Sequence, residues 1–225
     1  MPQPIRLPPI LGPWPESLEG LLEECGLEAL DLRRAEGIHP ASLALGSAKP
    51  AGREASPRIA LVGPMGVGKS SVGRALARLS GLPFADSDEA IVAEAGMDIP
   101  AIFAREGEAG FRSRESWVLA KLLAGGPLVL ATGGGAVLAP ENRALLHEAA
   151  QVVWLHAPAA VLARRVEGGG SRPLLAGGAV EEKLASIYQL RLPYYVQCAD
   201  FLLPVGRSSP QTLAEVIHDA LLKAR

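Results

Sequence analysis

The sequence predicts an α/β domain: a five-stranded parallel sheet covered by helices on both faces in a three-layer sandwich, with a mobile lid. From Arg58 onward, short apolar runs alternate with stretches of helical period, the pattern of strand–helix–strand units. The first run leads straight into a glycine-rich loop that opens a helix, the arrangement in which parallel sheets hold phosphate. A second glycine-rich stretch, Gly168-Gly169-Gly170-Ser171, supplies the lid.

The elements follow in order. Strands are predicted over Ile59–Val62, Pro83–Ala85, Leu128–Ala131, Val152–Leu155 and Phe201–Val205, each a short apolar run bounded by turn residues. Helices are predicted over Lys69–Leu79, Asp88–Glu94, Ile99–Arg105, Glu108–Leu123, Glu141–Ala149, Ala159–Val166, Val180–Leu190 and Gln211–Leu222. Gly81, Gly96 and Gly125 fall where helices end on a left-handed residue. Trp117 and the leucines around it recur at helical spacing and read as core.

The 57 residues ahead of this domain have a different character, which divides the chain into residues 1–57 and 58–225. Met1 to Pro15 holds six prolines (Pro2, Pro4, Pro8, Pro9, Pro13, Pro15) and cannot enter a helix or central strand. Ser17 to Arg34 has an amphipathic pattern with acids early and arginines late, so one short helix is expected there. Ala41 to Pro57 has no period and reads as a linker. The acidic residues of the whole segment 1–57 disfavour an organelle-targeting peptide, and the segment lacks the basic face and the length of a multi-helix DNA reader.

Bulk properties narrow the partners. With 225 residues, 48% hydrophobic and 20% charged, the chain has enough apolar material for a core. A net charge of -2 and a pI near 6.1 give no overall pull toward nucleic acid or anionic lipid, so a small ligand is expected. Cys25 and Cys198 lack metal or redox spacing and read as buried thiols. Without an apolar run long enough for a bilayer or a secretory leader pattern, the expected location is cytoplasmic.

The chemistry starts at Gly63-Pro64-Met65-Gly66-Val67-Gly68-Lys69-Ser70, a complete GxxxxGKS between a strand and a helix. This is a P-loop, and it predicts ATP with Mg²⁺. The backbone N–H groups from Gly63 through Val67 to Ser71 would surround the phosphates, Lys69 would reach the β- and γ-phosphates, and Ser70 would ligate the metal. The third apolar strand ends in Thr132-Gly133-Gly134-Gly135 and carries no acid there, so another carboxylate has to help hold the metal. Asp86 is the candidate for that role and Asp88 for the acceptor hydroxyl; a plain helix cap is the competing reading for either.

Arg112 and Arg191 offer planar forks suited to a carboxylate. Gly133, Gly134 and Gly135 let a ligand approach the backbone. The motifs, in order, are Asp86-Ser87-Asp88, Gly107-Glu108-Ala109-Gly110-Phe111-Arg112-Ser113-Arg114-Glu115, the triple glycine, Arg172-Pro173-Leu174-Leu175-Ala176-Gly177 and Arg191-Leu192-Pro193-Tyr194-Tyr195 leading to Ala199-Asp200. With this set the sequence from Arg58 onward closely resembles the shikimate kinases.

The resemblance implies that Asp88, Arg112, Gly133, Gly134, Gly135 and Arg191 bind shikimate. It also implies that Arg165 and Arg207 contact ATP, that Arg172 on the lid meets charge on the transferred phosphoryl group, and that the protein is a monomer. Lys69, Asp88 and Arg172 are then the catalytic set. Two other readings stay open: a kinase of gluconate or a nucleoside monophosphate, and a metabolite-sensing regulator with a kinase-like domain. His39, His147, His156 and His218 sit in no motif and read as surface or packing residues.

Overall fold

The computed structural model describes Leu11, residues 57–167 and residues 180–222. The expected N-terminal helix, Trp14, Cys25, His39 and the lid with Arg172 lie outside the described residues. Within them the order is β1 (Arg58–Val62), α1 (Lys69–Ser80), β2 (Phe84–Asp86), α2 (Ser87–Ala95), α3 (Ile99–Leu123), β3 (Leu128–Ala131), a 3₁₀ turn (Ala136–Leu138), α4 (Pro140–Ala149), β4 (Gln151–His156), α5 (Ala159–Glu167), α6 (Val180–Cys198), β5 (Phe201–Pro204) and α7 (Pro210–Leu221). The strands form one sheet in the order β2-β3-β1-β4-β5, and every neighbouring pair is parallel.

The period of two explains the layers. Ile59 and Leu61 join Val153, Leu155 and Leu203 in a core under α1, α5 and α7. Ala60 and Val62 join Leu130, Val152 and Trp154 in a second core under α3, α4 and α6. Helix caps match the chemistry: Ser209 Oγ accepts from the Thr212 N–H at 3.1 Å, Pro210 opens α7, and Leu213, Ile217 and Leu221 form its buried stripe. Register aligns Asp86 and Leu61 with Ala131, so the segments leaving β1, β2 and β3 emerge together at the carboxyl edge.

Leu11 is the described residue of the N-terminal segment. Its N–H donates to the Leu202 carbonyl at 2.8 Å, and its side chain is buried in the α1/α7 core. Leu11 thus lies against β5, the strand at one edge of the sheet.

Three expectations need correction. Trp117 is 52% exposed, with the Lys121 ammonium 5.0 Å from its ring centroid. Phe111, Glu115, Val118, Leu119 and Leu123 form the buried face of α3, so Leu119 and Leu123 are core as expected while Trp117 itself faces outward. α6 does not stop at Leu190 but runs through Pro193 to Cys198, because Leu192, Tyr195 and Cys198 pack on the sheet and offset the lost backbone donor. The α3 cap is Ala124, whose N–H donates to the Ala120 carbonyl, and Gly125 lies one residue beyond it. The break expected between Arg105 and Glu108 is present as Gly107, non-helical at φ 70°.

His156 is a packing residue, 2% exposed, that shares a hydrogen bond with the Tyr188 hydroxyl. Burial pushes its pKa down from 6.5 to about 4. The unfolded chain therefore takes up a proton near pH 6.5 that the folded chain refuses until about pH 4. The contribution to stability is intact above that window and is lost as pH falls through it, at up to about 1.4 kcal/mol per pH unit. Urea unfolding at pH 7 and pH 5 should show a smaller loss of stability for His156→Gln than for the native chain; equal losses would contradict the assignment.

Candidate active site

Gly63 holds φ 145°, and a Cβ there would lie 2.4 Å from the Leu155 carbonyl oxygen, so only glycine fits. Val67 is fully buried and anchors the loop, while Met65 and Gly66 are half-buried at its rim. Gly68 takes a left-handed conformation at the start of α1. Lys69 Nζ folds back over the loop, donating to the Gly63 and Pro64 carbonyls at 2.8 and 2.9 Å. It therefore stands over the mouth of the cradle.

Ser70 Oγ donates to Asp86 Oδ2 at 2.6 Å, and Asp86 Oδ1 accepts from the Asp88 and Glu89 N–H groups at 3.0 and 3.4 Å. Asp86 therefore caps α2 and presents its other oxygen to the P-loop helix. Cap and site are one residue. A hydroxyl and a carboxylate oxygen beside a phosphate cradle form the sparse oxygen set that suits Mg²⁺, which keeps most of its ligands as water and phosphate. Ser71 is exposed on the first turn of α1. Arg165 donates to the Val67 and Gly206 carbonyls at 3.2 Å each, linking the P-loop to the turn that carries the exposed Arg207.

Beside the cradle lies a cavity of about 470 Å³. Its polar lining is Asp88, Arg112, Glu115, Arg191 and the three glycines; its apolar wall is Val92, Ile99, Pro100, Phe103 and Phe111; Met65 of the P-loop closes one side. The two arginines, 79 positions apart in sequence, line one cavity because α3 and α6 pack on the same face of the sheet. A Cβ on Gly135 would lie 2.5 Å from Arg112 Nη1, and one on Gly133 would lie 2.6 Å from Asp88 Oδ1. Glycine at both positions is therefore what lets Arg112 and Asp88 close on the loop.

Several further residues that sequence reasoning did not assign complete the site. Glu115 is 1% exposed and accepts from Arg112 Nη1 at 2.7 Å. Burial pushes its carboxyl above the usual range; Arg112 opposes that and nearby Asp88 adds to it. The signal was its place three residues after Arg112, one helical turn on the same face. Ser87 Oγ accepts from the Gly133 N–H at 2.8 Å. Arg191 Nη1 and the Tyr195 hydroxyl both donate to the Gly134 carbonyl, at 3.1 and 2.7 Å.

The arrangement can hold a nucleotide's phosphates on one side and a small anion with its hydroxyl near Asp88 on the other. Known proteins are similar to this chain in sequence and fold. The family model described as shikimate kinase matches residues 65–222. A shikimate kinase of Burkholderia pseudomallei (strain 1710b) is 46% identical over 165 residues, covering 73% of this chain and 90% of its own. One of Neisseria gonorrhoeae is 47% identical over 158 residues, covering 69% of this chain and 93% of its own. The solved shikimate kinase from Acinetobacter baumannii in complex with shikimate superposes with a TM-score of 0.73 at 41% identity, covering 76% of this chain and 95% of that one. With matches of this extent in both sequence and fold, the chain belongs to the shikimate kinase family.

Proposed function

We propose that the protein phosphorylates the 3-hydroxyl of shikimate with ATP, giving shikimate 3-phosphate and ADP on the route to chorismate and the aromatic amino acids. The observation that carries this reading is one cavity holding Asp88, Arg112 and Arg191 with the P-loop residue Met65 in its wall. Arg112 and Arg191 hold the acceptor's carboxylate, each charge-assisted hydrogen bond contributing about 1.5–3 kcal/mol. Gly133, Gly134 and Gly135 admit the ring. Asp88 orients the attacking hydroxyl and accepts its proton as the bond to the γ-phosphorus forms and the bond to ADP breaks.

Gly63 to Ser71 hold the triphosphate, with Lys69 turning from the loop carbonyls to the β- and γ-phosphates. Mg²⁺, when bound, neutralises charge on the phosphate oxygens; Ser70 and Asp86 are the residues that would hold it. Arg165 and Arg207 serve the nucleotide, and Arg172 of the lid serves the transferred group. We assign residues 58–225 to the kinase unit and residues 1–57 to an extension. The protein works as a monomer in the cytoplasm, apart from nucleic acid and membranes. Among the described residues no helix is long and apolar enough to cross a membrane.

The apolar wall of Val92, Ile99, Pro100, Phe103 and Phe111 favours a carbon ring over the open polyol chain of gluconate, and a phosphate cradle beside an acceptor cavity favours an enzyme over a sensor. A coupled ADP-release assay over shikimate, quinate, gluconate and nucleoside monophosphates tests this. Shikimate should give the highest kcat/KM; a faster rate with any of the others would replace it as the substrate.

A further inference from the structure

Three glycines in a row have no side chains to set their peptides, so the loop after β3 must be held from outside. Ser87 holds the Gly133 N–H, and the Gly133 and Gly135 carbonyls accept from the Ala136 and Leu138 N–H groups at 3.1 and 2.9 Å. The Gly134 carbonyl turns the other way, toward α6. It accepts from Arg191 and from Tyr195, which stand four residues apart and share a helix face. Gly134 is also where the acceptor loop meets the P-loop: a Cβ there would lie 3.3 Å from the Met65 nitrogen and 3.7 Å from Arg191 Nη1.

Tyr195 is fully buried, and its ring stacks on Trp154 with centroids 6.0 Å apart and planes 11° from parallel. The stack fixes where the hydroxyl points. Burial raises the phenol's pKa, so the hydroxyl stays a donor at any working pH. Arg191 is in a different position, because its fork must serve both the Gly134 carbonyl and an acceptor.

We propose that Tyr195 is a positioning residue for the transfer reaction: its hydroxyl pins the Gly134 carbonyl, so that Arg191 can turn to the acceptor's carboxylate without releasing the glycine loop from its place against the P-loop. This rests on the kinase reading above. Tyr195 touches neither ligand and acts through Gly134. A carbonyl oxygen has two lone pairs, so the two donors are compatible at rest. Once Arg191 engages an acceptor, Tyr195 keeps the buried carbonyl satisfied.

Tyr195→Phe removes the hydroxyl and keeps the stack. The expected result is a KM for shikimate raised about threefold to tenfold, the range for loss of one neutral hydrogen bond. The Kd for ADP should be unchanged, and hydrogen exchange across residues 133–138 should be faster in the ligand-free protein. Tyr188→Phe is the control: it removes a buried phenol from the same helix without touching Gly134, and should shift Tm without moving the KM.

If an active wild type gives a Tyr195→Phe variant with unchanged KM, the proposal is overturned while the kinase reading stands. An equal rise in the KM and the ADP Kd also overturns it, because general loosening would then explain both. If the wild type does not phosphorylate shikimate, the kinase reading fails on its own, and hydrogen exchange decides Tyr195: unchanged exchange refutes the anchor, faster exchange at 133–138 alone supports it.

Discussion

Asp88→Asn is expected to lower kcat by about 10²–10⁴-fold, the usual contribution of a positioned general base, with ADP affinity unchanged. The geometry separates the two effects. Asp88 lines the acceptor cavity and crowds the position a Cβ on Gly133 would take, whereas the P-loop is held by Lys69, Val67 and Arg165. The Asp88 N–H, which donates to the Asp86 cap, is retained in the variant, so α2 keeps its start. Asparagine keeps the shape of the side chain but cannot take the proton. Initial rates at saturating ATP and shikimate, paired with calorimetric titration of ADP, measure both quantities. Near-normal turnover would remove Asp88 from the chemistry.

Arg112→Ala should raise the KM for shikimate about 10–100-fold, the range for loss of a charge-assisted hydrogen bond. It should also destabilise the fold, because Glu115, almost wholly buried, loses its guanidinium. Burial already pushes its carboxyl upward and Arg112 opposes that, so loss of Arg112 pushes it further in the same direction. The double variant Arg112→Ala/Glu115→Gln separates the two losses: Tm should recover while the KM stays high. A single variant with the native KM would mean that Arg112 only neutralises Glu115.

How much was legible in advance follows from the range of each interaction. The P-loop is contiguous, so its residues, strand and helix were readable at once, and all five strands lie within about two residues of their predicted bounds. The pairing of Arg112 with Arg191 depends on two helices packing on one face of the sheet, and local patterns carry no such information. It came from the resemblance. Helical spacing marks Leu119 and Leu123 as core but does not show that Trp117, two residues from Leu119, turns outward. The run of α6 past Leu190 through Pro193 is not legible locally, because propensity cannot count the sheet contacts that offset the proline. Glu115 and Tyr195 lie within the motifs, but their roles are not readable there. A charged residue on a helix normally faces water, and a tyrosine among leucines reads as packing. Only the fold shows that one carries Arg112 and the other holds Gly134.

In the proposed reaction the phosphoryl group passes directly between two ligands held in one cleft. Phosphorus NMR of the enzyme with ATP and shikimate tests it most directly. One new phosphate monoester is expected, coupled to the proton on ring carbon 3, in amount equal to the ADP formed. Inorganic phosphate accumulating with ADP while shikimate stays unmodified would contradict it.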